Sequence, residues 1–153
     1  MDAGGTTATR LRAVIARADR LLARHVTGSG LTRTEFSVLG ALARAGELRL
    51  TDLVERERLH PTMLSRIVGR LVGAGWAVRV PDPRDGRAAL ISITATGSAL
   101  HRELQETRSR RIGEYLDGLA PEPAALLAAA LPVLEGLTEH LARDGAELAG
   151  VTR

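Results

Sequence analysis

The segment Gly-Trp-Ala-Val-Arg-Val-Pro-Asp-Pro-Arg-Asp-Gly-Arg-Ala-Ala-Leu-Ile-Ser-Ile-Thr, from Gly75 to Thr94, constrains this chain more than any other. It reads as two short strands joined by a loop with two arginines, Arg84 and Arg87, and two aspartates, Asp82 and Asp85. Directly before it, Leu64, Ile67, Val68, Leu71 and Val72 recur at the i, i+3, i+4, i+7, i+8 spacing of a buried helical stripe. A helix that fits a major groove, followed by a basic hairpin, is the layout of a winged helix-turn-helix. The first partner implied by that layout is double-stranded DNA.

The flanking sequence reads as helices. Leu11, Val14, Ile15, Ala18, Leu21, Leu22 and His25 predict a first helix from about Thr9 to Val26, broken by Gly28-Ser29-Gly30. Thr32 with Glu35 three residues on is a capping-box pattern. The helix it opens directs Phe36, Leu39, Leu42 and Ala43 inward and stops at Gly46. A short strand at Leu48–Leu50, a helix from Thr51 to about Glu57 and the striped helix from Pro61 to Gly73 or Gly75 follow. After the hairpin come a helix capped by Thr94 and reaching about Leu119, and a last one from Pro121 to about Arg143, kinked at Pro132. The expected fold is mainly α (α+β), a single domain over 1–153. Its winged helix-turn-helix lobe is 31–94, with dimerisation helices at 9–26 and 95–143.

Composition removes other classes. The only aromatics are Phe36, Trp76 and Tyr115, so the core is built from Leu, Val, Ile and Ala. Zero Cys excludes disulfides, thiolate metal sites and thiol redox switches. His25, His60, His101 and His140 form no His-x-x-x-His pair, so no metal is expected. No nucleophile–base constellation or Gly-rich phosphate loop appears, so no catalytic residue, cofactor or enzymatic activity is expected. The first ten residues are polar, unlike a signal peptide, and the longest apolar run, Ala124 to Leu134, is 11 residues and too short to span a bilayer. A cytoplasmic protein without a membrane partner is the expectation. The net charge is only +3, and all 21 basic residues are Arg, so the placement of arginines carries the information.

On the striped helix, Thr62, Met63, Ser65, Arg66 and Arg70 lie on or beside the face away from the stripe. A guanidinium there can read guanine O6 and N7, hydroxyls can reach bases or phosphates, and a thioether can sit against a thymine methyl. In the hairpin, Arg84 and Arg87 can enter a minor groove whose A·T-rich form deepens the negative potential. Asp82 and Asp85 are expected to hold an arginine in one rotamer, with Asp85 orienting Arg87. Gly86 is expected to turn the tip. Taken singly, each of these residues also fits a solvated helix face or an ordinary charged turn. A second reading of the whole is a winged-helix module that binds protein. The arginines on both elements oppose it, because a protein interface favours apolar and aromatic anchors.

The chain resembles the MarR family of bacterial transcription regulators. Leu31-Thr32-Arg33-Thr34-Glu35-Phe36-Ser37-Val38-Leu39 is similar to the family's second-helix opening, and Leu64-Ser65-Arg66-Ile67-Val68-Gly69-Arg70-Leu71 to its recognition helix. Gly75-Trp76-Ala77-Val78-Arg79 leads into the wing. Asp82-Pro83-Arg84-Asp85-Gly86-Arg87 is similar to the wing motif, and Ile93-Thr94-Ala95-Thr96-Gly97 to the Leu-Thr-x-x-Gly that follows it. The resemblance implies a homodimer on a pseudo-palindromic operator, acting as a repressor. It also implies a small-molecule pocket between the dimerisation and DNA-binding parts. On the first helix, Arg17, Arg20 or His25 could meet a small anionic or phenolic ligand, although a solvated arginine face is the better reading of that pattern. The chain departs from the family at His60, where Ser or Asn more often caps the helix, and at Gly86, where a basic residue is more usual.

Overall fold

The computed structural model describes the backbone of residues 3–150 and the side chains of 4–23, 28–85 and 89–143. Helix α1 (Ala3–Thr27) starts a turn and a half before Thr9. Thr9 does not cap it: its hydroxyl donates to the Gly5 carbonyl one turn back, at 2.9 Å. Helix α2 (Arg33–Ala45) begins at the capping box read from sequence. Thr32 Oγ1 accepts from Glu35 N at 3.2 Å, and Glu35 Oε2 accepts from Thr32 N at 2.8 Å. Phe36, Leu39 and Leu42 are buried as expected, but Ala43 is exposed and Val38 and Ala41 take the inward positions.

Strand β1 (Leu48–Arg49) leads straight into α3 (Leu50–Glu57), whose first turn is tied by Arg49 N donating to Asp52 Oδ2 at 3.1 Å. Helix α4 (Pro61–Gly73) buries Leu64, Ile67, Val68 and Leu71 at 0–8% exposure, which is the stripe the spacing predicts. It stops where Ala74, Gly75 and Trp76 turn their N–H groups onto the last carbonyls; Gly75, at φ 75°, supplies the left-handed residue this needs. Leu31 before α2, Leu53 of α3, Leu48 and Ile91 of the sheet and Leu104 of the next helix close the same core.

The hairpin differs from its sequence reading. Strands β2 (Ala77–Asp82) and β3 (Asp85–Ile93) pair from Ala77↔Ile93 to Pro81↔Ala89, then jump to Asp82↔Asp85. The turn is therefore Pro83-Arg84, not Gly86, and residues 86–88 form a bulge on β3. A proline fixes its own φ in a turn, which here outweighs the permissiveness of Gly86. Ala77 faces the core and Val78 is exposed. β3 is central, with β1 on its other edge through Leu48↔Ile91 and Arg49↔Leu90.

Helix α5 (Ala95–Asp117) is fastened to the end of α4. Thr94 Oγ1 accepts from Gly97 N at 3.0 Å and donates to the Gly75 carbonyl at 2.7 Å, while Thr94 N donates to the Trp76 carbonyl at 3.1 Å. A side chain at Gly97 would place its Cβ 2.0 Å from the Trp76 carbonyl oxygen, so only glycine allows this approach.

The chain divides into two compact units, the first ending at Ser109 and the second beginning at Arg110. The second holds the end of α5 and α6 (Pro121–Gly150), which continues through Pro132. Leu126, Leu131 and Val133 are 67%, 51% and 74% exposed. Because the helix is uninterrupted, Pro121–Arg143 is by length and composition apolar enough to cross a membrane.

Candidate nucleic-acid interface

Thr62, Met63, Ser65, Arg66 and Arg70 all lie exposed on α4, on the side away from its buried stripe. Met63, Arg66 and Arg70 share a shallow groove with Thr32, Thr34 and Glu35 at the start of α2. The first turn of α4 is held by His60, whose Nδ1 accepts from Thr62 N at 3.3 Å. His60 is thus a helix cap here.

Arg70 is not a free cation. Its Nε lies 3.1 Å from Glu35 Oε1, and Glu35 is 2% exposed. Glu35 therefore serves two elements: it completes the cap of α2 and holds Arg70 of α4. The sequence marks Glu35 as a cap residue but gives no sign of the second contact, which spans 35 positions. Arg66 has no such anchor among the contacts described, and its side chain is exposed.

In the wing, Arg84 occupies the two-residue tip and is exposed, as is Asp85. The Arg87 side chain lies outside the described residues, as does that of His25. Asp82 makes an ion pair, as expected, but its partner is Arg49 of β1 and not a wing arginine; the expected pairing of Asp85 with Arg87 lies outside the described residues. Arg49 Nε and Nη2 donate to Asp82 Oδ2 at 2.8 and 2.5 Å. Arg84 N donates to the other oxygen, Oδ1, at 2.8 Å. This backbone hydrogen bond, followed by the Arg49 guanidinium, holds the Asp82 carboxyl below its ordinary pKa despite the opposing effect of burial.

A separate cavity of about 470 Å³ opens against α2 and α5 within the first unit. Arg33, Phe36, Arg44, His101 and Arg108 line it, with Asp19 and Glu57 at its edges. Asp19 is ion-paired to Arg33. The His101 ring stacks on Phe36 with centroids 4.8 Å apart, and the Arg108 guanidinium lies 5.2 Å above the same ring. Desolvation, then Arg44 and Arg108, push His101 below its ordinary pKa, which favours the neutral ring. Arg17 and Arg20 do not line this cavity. Among the described residues no group of His, Asp and Glu could hold a metal ion.

Comparison with known proteins fits this architecture. The MarR family model matches residues 29–88, the helix-turn-helix and most of the wing. The chain is 27% identical over 140 residues to an HTH-type transcriptional regulator of Mycobacterium tuberculosis, covering 92% of this chain and 98% of that one. It is 32% identical over 98 residues to the multiple antibiotic resistance protein MarR of Salmonella typhimurium, covering 64% and 68%. A cysteine-to-serine mutant of Escherichia coli MarR is 25% identical and superposes with a TM-score of 0.73 in one crystal structure and 0.62 in another, complexed with operator DNA. The aligned parts cover 83% of this chain in both, and 94% and 91% of the respective MarR chains. These likenesses are to transcription regulators and not to enzymes, and the chain belongs to the MarR family.

Proposed function

We propose that this protein is a homodimeric repressor that binds a pseudo-palindromic operator through α4 in the major groove and the wing in the adjacent minor groove. The observation that carries the reading is α4 itself. Its apolar stripe is buried in the winged core, and the opposite face presents Thr62, Met63, Ser65 and Arg66 to solvent. Arg84 at the hairpin tip, and Arg87 from the sequence, supply the minor-groove cations. The lobe at 31–94 reads the DNA, and 9–26 with 95–143 join the two copies. The exposed apolar side chains of α1 and α6 are the surface a second copy would cover, which also accounts for the apolar α6 without a bilayer.

The Phe36–Arg44–His101–Arg108 cavity suits a small aromatic anion: a ring to stack on and cations for a carboxylate or phenolate. Occupancy there is proposed to lower operator affinity. An electrophoretic gel shift on the gene's own upstream region, with and without benzoate or phenol, tests both steps. A specific shift, half-sites in the footprint and release by the anion are expected. Indifference to DNA sequence at all protein concentrations would reject operator recognition.

A further inference from the structure

We propose that Arg49 and Asp82 form a latch that sets the pitch of the wing against the helix-turn-helix, which makes Arg49 a positioning residue for operator readout and not a DNA contact. The proposal rests on the DNA-binding reading above.

Its observations come from the opposite ends of one carboxylate. Asp82 is the last residue of β2, directly before the Pro83-Arg84 tip, and is only 4% exposed. Burying a carboxylate is unfavourable unless its oxygens are bonded. One oxygen takes both Arg49 donors and the other takes the Arg84 backbone N–H. Arg49 is itself fixed at its backbone, since its N–H donates to Asp52 in the first turn of α3. A single carboxylate thus joins the start of the helix-turn-helix to the residue that carries the tip arginine.

The hairpin has need of such a tie. β1 holds β3 at only two residue pairs, the outer one Arg49↔Leu90. Beyond Leu90 the wing is a two-stranded ribbon with a bulge at 86–88, and two-stranded ribbons twist readily. A cleft lined by Glu47, Arg49, Asp52, Asp82, Pro83 and Arg84 lies between ribbon and body. Without the latch the ribbon can swing across it. α4 and the wing tip must meet two adjacent grooves at once, so a swinging tip loses the contacts that depend on that geometry while keeping generic attraction to phosphate.

Charge separates this account from simple electrostatics. Arg49 and Asp82 neutralise each other, so the pair adds no net attraction to DNA. Removing the aspartate alone should tighten generic binding if charge were all that mattered.

Fluorescence anisotropy of the full-length chain at one fixed salt concentration tests the latch. The probes are the footprinted operator duplex and a scrambled duplex of the same length. Asp82→Asn and Arg49→Ala are each expected to lose about tenfold to a hundredfold in operator affinity, the scale of one lost specific contact. Affinity for the scrambled duplex should stay within about threefold, on the same scale. The double variant should be no worse than either single one, the mark of two residues acting as a pair. Arg49→Lys keeps the charge but cannot donate twice to one oxygen, and it should resemble Arg49→Ala. In Asp82→Asn, which leaves no unpaired buried charge, the melting temperature and the salt dependence of operator binding should hold near wild type. Operator affinity unchanged or increased in Asp82→Asn overturns the latch. Equal loss on both duplexes with a shallower salt slope in Arg49→Ala also overturns it, by making Arg49 a phosphate contact. Melting that falls in step with affinity reduces the pair to fold stability and overturns the positioning role. A wild-type chain that does not prefer the operator fails the DNA reading itself, a result distinct from these.

Discussion

Helices α4 and α6 both carry apolar side chains at helical spacing, yet they satisfy them differently. α4 buries Leu64, Val68 and Leu71 completely within its own chain. α6 leaves Leu126, Leu131 and Val133 more than half exposed. An apolar stripe in sequence therefore fixes that a face will be covered, not by what. For α4 the cover is the winged core, and the opposite face, which we propose meets DNA, stays exposed. For α6 we assign the cover to a second copy.

The largest expected effect breaks this contrast at α6. Combining Leu126→Asp with Leu131→Asp should give a monomer by light scattering. Its operator affinity should fall at least about a hundredfold, because two linked half-site contacts become one. The same chain should still melt cooperatively through its winged core. Leu71→Ala, in α4, should do the reverse: it should destabilise by about 2–5 kcal/mol at every protein concentration, as buried leucines do. A dimer that survives both aspartates would show that α6 is covered by something other than its copy.

Arg66→Ala probes the free face of α4. It should cost about 1–3 kcal/mol on the operator and relax preference at one base pair in each half-site. Measured on a set of single-base operator variants, a uniform loss would make Arg66 a phosphate contact.

The parts legible in sequence were those set by neighbours along the chain. The capping box at Thr32 and Glu35, the α4 stripe and the two-strand wing all depend on separations of a few residues, which local stereochemistry decides. What escaped was decided by distant pairs. Nothing in the residues around Arg49 announces Asp82, 33 positions on, and nothing around Glu35 announces Arg70. The position of the wing turn escaped for a local reason, because Pro83 and Gly86 both fit a turn and only the pairing register chooses between them. A pocket between the DNA-binding and dimerisation parts was implied by the family resemblance, but the lining of the cavity at His101 escaped, since it joins Phe36 and Arg44 of α2 to His101 and Arg108 of α5.

That cavity gives a smaller effect. The folded pKa of His101 lies below its unfolded value, so the unfolded chain takes up the proton first as pH falls. Stability should be full above about pH 6.5 and should decline as the pH drops below that ordinary histidine value toward the folded one. Thermal melts from pH 7.5 to 5 should show the decline, and His101→Gln should flatten it. If the two pH profiles coincide, another group carries the acid dependence.

The smallest expected effect tests how much of α4's charge reaches DNA. Arg70 is well exposed, but Glu35 sits beside its Nε and neutralises it in part. Glu35→Gln removes that negative charge while leaving a side-chain oxygen to accept from Thr32 N, so the α2 cap survives. Arg70 is exposed but Glu35 is buried, so losing the ion pair should cost about 1–3 kcal/mol of stability and leave the chain folded. With Arg70 released toward the phosphates, affinity for any duplex should rise a few-fold, and log Kd against log salt should steepen by about one phosphate contact. Arg70→Ala made alone should shift the slope the other way by no more than that. In the double variant the gain from Glu35→Gln should vanish, because there is no cation left to release. Anisotropy titrations across salt concentrations would read all three chains. A steeper slope that persists without Arg70 would mean that Glu35 repels the DNA directly, and the groove between α2 and α4 would then be part of the interface in its own right.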